Sequence, residues 1–161
     1  MKRSQLIVLA CATALLASTA VAAAQVYGPA HPTRAEYVAS AEGICTANMK
    51  KVNKLVTAAN KKTRNGDFKG GGAKIIKAAR VFGKSVKALA VLARPPADTV
   101  LLGRWVKSLT VDADLFKRLG KALRAGDAAK LTKIAKASRK HAKRTNAIVA
   151  GFGFSSCLIN R

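Results

Sequence analysis

Apolar residues recur at helical spacing along four stretches of this chain, and nowhere do they alternate long enough to predict a strand. In the first stretch Tyr37, Ala41, Ile44, Cys45, Asn48, Val52, Leu55 and Ala59 fall on one narrow arc, with Lys50, Lys54 and Lys61 opposite. Thr33 and Glu36 have the spacing of a capping box, which predicts a helix over 34–62. Asn65-Gly66-Asp67 breaks it. Gly70-Gly71-Gly72 reads as a flexible linker, because it lacks the strand before and the Lys-Ser/Thr after that make a phosphate loop.

The second helix is predicted over 73–93, with Ile75, Ala79, Phe82, Gly83, Val86, Leu89 and Ala90 on one face. Pro95-Pro96 ends it, since a residue before proline leaves the helical region. Asp98 is placed to cap a third helix that reaches Ala125, with Leu102, Trp105, Leu109, Phe116, Leu119 and Leu123 inward. Gly126 suits the position after a helix and Asp127 the position before one. The fourth helix is predicted over 128–150, with Leu131, Ile134, Ala135, Ala142, Ile148 and Val149 inward. Short links between long amphipathic helices predict an all-α, up-down-up-down four-helix bundle with a C-terminal tail.

Lys2 and Arg3, the apolar run from Leu6 to Leu16 and the small residues before Ala24 together have the form of a secretory leader over 1–24. An uncleaved anchor is the rival reading, since Leu6 to Ala24 has the minimum length for a span. A linker over 25–33 and the bundle with its tail over 34–161 complete the expected organisation. Export places the chain outside the cytoplasmic membrane, secreted or on the envelope. There the remaining cysteines, Cys45 and Cys157, read as a disulfide. Cys45 stands about 16 Å up the first helix at 1.5 Å per residue. The stretch after Gly151 reaches about 20 Å extended, so the tail can fold back to it.

Tyr37-Val38, Ala41-Glu42-Gly43-Ile44-Cys45, Pro95-Pro96-Ala97-Asp98, Trp105, the Ala125-Gly126-Asp127 turn and a Gly-Phe…Cys ending at Cys157 follow one another in order. This set resembles small exported helical-bundle proteins of high-GC Gram-positive bacteria that carry one disulfide. The resemblance implies the fold and export, and it implies no activity.

Charge changes the picture most. The chain of 161 residues has 30 Lys+Arg against 7 Asp+Glu, a formal net charge of +23. Removing the leader lowers that only by Lys2 and Arg3. Lys130, Lys133, Lys136, Lys140 and Lys143 stripe the fourth helix, and Lys77, Lys84 and Lys87 mark a matching stripe on the second. Such faces attract polyanions in a salt-dependent way: wall polymers, anionic lipid surfaces or extracellular nucleic acid. With so few aromatics to stack bases and no recognition motif, sequence-specific nucleic-acid binding is excluded.

An inward polar cluster offers a second candidate. Asp112 and His141 stand at equal distances from the Gly126-Asp127 turn, so a hairpin brings them level. Ser138 and Thr145 share the arc of His141, and Asn48 lies on the core arc of the first helix at a similar height. Asn48 and Ser138 are the expected second partners of the carboxylate. Asp, His and Asn together can bind a metal or hold a polar ligand, or they satisfy one another and fix the helix register. No carboxylate pair or nucleophile elbow stands out, so neither an enzyme nor a cofactor is expected. The leading expectation is therefore a non-enzymatic binder of anionic polymers or surfaces. The alternative is a small-ligand or metal-binding bundle built on Asp112 and His141. A tight interior favours the first; a cavity reaching Asp112 favours the second.

Overall fold

In the computed structural model, which describes residues 31–159, the first helix begins where its capping box lies. The Thr33 hydroxyl accepts from the Glu36 N–H, and the Glu36 carboxylate accepts in return from the Thr33 N–H at 2.8 Å. Helix α1 spans Arg34–Arg64, α2 Phe68–Ala90, α3 Thr99–Arg124 and α4 Ala128–Ile148. Single 3-10 turns occupy Pro96–Asp98 and Ala150–Phe152. Among the described residues there is no strand, and no helix is long and apolar enough to cross a membrane. The leader over 1–24, its cleavage or retention, and the linker residues before His31 lie outside the described residues, as do Asn160 and Arg161.

The glycine run departs most from expectation. Gly70-Gly71-Gly72 is not a linker; it lies in the first turns of α2, which begins at Phe68 rather than at 73. Asp67 is the N-cap. Its carboxylate accepts from the Gly70 N–H at 2.6 Å and from the Lys62 ammonium at 2.7 Å. The missing side chains are used for packing. A Cβ at Gly72 would overlap the Arg124 backbone, and one at Gly120 would stand 2.9 Å from the Ile76 nitrogen. So α2 and α3 cross with almost nothing between their backbones. Close packing here offsets a helix-propensity cost of about 1 kcal/mol per glycine.

Asp98 is the second departure. Its side chain makes no cap bond to α3. It is held instead by the Arg34 fork, Nε at 2.9 Å from one oxygen and the terminal nitrogen at 2.6 Å from the other. The guanidinium has both planar donors aligned on a carboxylate, a stronger arrangement than a single cap bond. This clamp ties the start of α1 to the start of α3. At the other end the expected turn is present: Gly126 has φ +67°, and Asp127 accepts from the Lys130 N–H at 2.9 Å.

Helix α1 packs along α2, α2 along α3 and α3 along α4. No comparable packing joins α4 to α1 among the described residues. The seam between them is crossed by the C-terminal segment, which is core rather than a loose tail. Phe154 is buried and stacks on Trp105 at 4.9 Å between ring centres, with Phe152 at 5.8 Å beyond it. Cys157 is bonded to Cys45, with their Cα atoms 5.1 Å apart. Beside the disulfide, Glu42 accepts from the N–H groups of Ser155, Ser156 and Cys157.

Candidate functional site

The polar cluster forms because α3 and α4 are the two arms of a tight hairpin. Asp112 is buried on α3, and its Oδ1 lies 2.9 Å from His141 Nδ1. A carboxylate only accepts, so the ring nitrogen facing it carries the proton. Thr145 donates to the other carboxylate oxygen and lies 2.7 Å from the Ser108 hydroxyl. With the Thr145 proton directed at Asp112, Ser108 donates to Thr145. The four side chains make one chain of hydrogen bonds ending on the carboxylate.

Asn48 and Ser138, expected as second partners, are not in this chain. Asn48 donates to the Ile44 carbonyl of its own helix at 2.9 Å. The Ser138 hydroxyl is shielded from water and has no partner in the structure. Side chains on a helix lean toward its N-terminus. Thr145 therefore leans toward the level of Asp112, whereas Ser138 leans away from it. Ser108 was legible by the same rule that pairs Asp112 with His141, because it and Thr145 are also equidistant from the turn. Among the described residues no three His, Cys, Asp or Glu side chains gather as a metal would need.

A cavity of about 280 Å³ opens beside the cluster, in the seam that α4 leaves against α1. Val52 and Val56 of α1, Phe82 of α2, and Leu109 and Phe116 of α3 form its apolar wall. Asp112 and Ser138 border it, and residues 156–159 cover it with the disulfide at the edge. The interior is thus not tight, and the cavity reaches Asp112.

The lysines expected to bind anions all point outward. Lys77, Lys84 and Lys87 on α2 and Lys130, Lys133, Lys136, Lys140 and Lys143 on α4 are exposed. Few of the acidic residues are free to neutralise them. Glu36 and Asp127 serve helix caps, Glu42 holds the C-terminal segment, and Asp112 serves the buried cluster. Asp67 takes Lys62 and Asp98 takes Arg34. These two ion pairs are the only ones between Lys or Arg and a carboxylate among the described residues.

A strong electrostatic perturbation lies at Glu42, whose partners Ser156 and Cys157 also line the cavity. Burial works against ionisation of Glu42, yet the N–H groups of Ser156 and Ser155, the Ser155 hydroxyl and the Cys157 N–H prevail and lower its pKa to about 2. The sequence signal was present, a glutamate three residues before Cys45 and two serines before Cys157, but only the closed disulfide brings them together.

No protein family, curated protein or solved structure matches this chain.

Proposed function

We propose that the mature chain is an exported, non-enzymatic up-down-up-down helical protein that binds anionic polymers or surfaces through its lysine faces. The observation that supports this is the use made of the acidic residues. Six of them serve as caps, clamps or buried partners, and among the described residues none forms an ion pair with an outward lysine of α2 or α4. A positive field of this kind concentrates polyanions and makes each bound phosphate a salt-sensitive contact. Export is supported by the leader pattern and agrees with the disulfide. The resemblance to small exported bundles, carried by the disulfide and the helix punctuation, implies export as well.

The test is binding of residues 25–161 to polyphosphate and to phosphatidylglycerol vesicles at about 50 mM and about 200 mM salt. Affinity should fall steeply between the two. Replacing Lys130, Lys133, Lys136 and Lys140 by Gln should weaken binding with the helical content unchanged. Binding that ignores salt, or that survives this replacement unchanged, would show the lysines to be a solvated face and nothing more.

A second reading, small-ligand binding inside the bundle, is favoured by the cavity that reaches Asp112. The two are compatible, because the lysines point outward and the cavity inward.

A further inference from the structure

The cavity has a size and a chemistry that narrow its guest. An apolar cavity of roughly 150 Å³ takes one benzene ring, so about 280 Å³ takes two. Residues of all four helices and of 156–159 line it, and about 280 Å³ is too small for a folded partner. A peptide segment would bring amides that this wall cannot satisfy. The one ionisable group on the wall is Asp112, and both its oxygens are already engaged, by His141 and Thr145. An anionic guest would find no cation on the wall, and a cationic one would have to share Asp112 with His141 and Thr145; either would lose its hydration. The wall holds two polar side chains without a hydrogen-bond partner: Asn53, which is exposed to solvent, and Ser138, whose hydroxyl is shielded from water.

We infer that the cavity between α1, α2, α3 and the C-terminal segment binds a small neutral lipophile, about two fused rings or an equivalent short chain, that carries one hydrogen-bonding group for Ser138. This rests on the ligand-binding reading and adds the ligand class. Burial of the guest's apolar surface supplies the affinity. The Ser138 hydroxyl, turned about its χ1 bond, gives the preference for a guest with a polar substituent.

The experiment titrates residues 25–161, disulfide intact, with naphthalene and with 1-naphthol, which differ by one hydroxyl and are both neutral at pH 7. Salt near 1 M screens the lysine faces, since the Debye length there is about 3 Å. Both probes should bind one saturable site, 1-naphthol about 3- to 10-fold more tightly. Ser138→Ala should remove that preference and leave naphthalene binding unchanged. Val56→Phe and Leu119→Trp, two independent ways to fill the space, should each weaken both probes by at least about tenfold while circular dichroism stays that of the wild type. In the wild type, naphthalene should shift the NMR signals of Val52, Leu109 and Phe116. Shifts confined to outward residues would overturn the site. Equal binding of the two probes, or a Ser138→Ala variant that keeps the preference, would overturn the ligand class and leave the ligand-binding reading standing. No saturable binding of either probe to the folded wild type would overturn both.

Discussion

Asp112 Oδ1 lies 2.9 Å from His141 Nδ1 across the α3–α4 hairpin, each residue the same distance from the Gly126-Asp127 turn. The contact fixes the register of α4 on α3. Slipping α4 by one residue would set Lys140 or Ala142 opposite Asp112 in place of His141. Since α4 packs mainly on α3, this polar chain joins the buried Ile134 and Ala142 in holding α4 in place.

Asp112→Ala should therefore cost more than an average polar truncation. It leaves Thr145, fully buried, and His141, partly buried, without their acceptor. The expected loss is about 1–3 kcal/mol by chemical denaturation. Thr145→Val should lose a similar amount, because it removes one of the two donors to Asp112 and the partner of Ser108. The double variant should lose less than the sum of the two, since both remove the same chain. Additive losses would show that the four residues do not act together.

The glycines give opposite expectations within one helix. Gly72→Ala drives a methyl into the Arg124 backbone and should destabilise by about 1–3 kcal/mol. Gly83→Ala has nothing within 4 Å of the new methyl and should stabilise by about 0.5–1 kcal/mol through helix propensity. Thermal melting of the two variants checks both signs at once.

The disulfide closes a separation of 112 residues. In the chain-entropy account, its removal by paired Cys45→Ala and Cys157→Ala costs about 4–5 kcal/mol. The loss should also appear as faster hydrogen exchange at Ser155 and Ser156, whose N–H groups Glu42 holds. Wild-type protection at these amides in the paired variant would show that Glu42 and Phe154 seat the segment without the bond.

The four helices were legible because their punctuation is local: a capping box at Thr33, a proline pair after α2 and the Gly126-Asp127 turn between α3 and α4 each act within a few residues. The pairing of Asp112 with His141 needed one further step, reflection through that turn. What was not legible depends on third parties. Gly70-Gly71-Gly72 has the local signature of a linker, and only the approach of α1 and α3 makes glycine the residue that fits. Asp98 has the signature of a cap, and only the Arg34 fork draws it away. Ser138 and Thr145 share an arc, and the tilt of helical side chains decides between them. The cavity was invisible for a related reason. It lies where α4 does not close on α1, a fact about the whole packing order rather than about any one helix.

Glu42 makes the stability of the C-terminal segment depend on pH in a stated direction. Its folded pKa, about 2, lies below the ordinary value of 4.5. A depressed carboxylate stabilises the fold fully above its unfolded pKa and loses that contribution as pH falls through the folded one. Glu42 therefore contributes fully above about pH 4.5 and progressively less down to about pH 2. Glu36, Asp67 and Asp98 are also lowered by their partners, so the whole fold weakens across the acid range. The Glu42 share is isolated by Glu42→Gln, which keeps the shape and removes the charge. Near neutral pH the variant should be less stable by about 1–2 kcal/mol, a charged hydrogen-bonding value reduced for solvent screening. The gap between wild type and variant should shrink on acidification and close below about pH 2, where both side chains are neutral. Urea denaturation of the two proteins along a pH series measures that gap directly, and a gap that stays constant would mean the segment is seated by Phe154 and the disulfide rather than by the Glu42 charge.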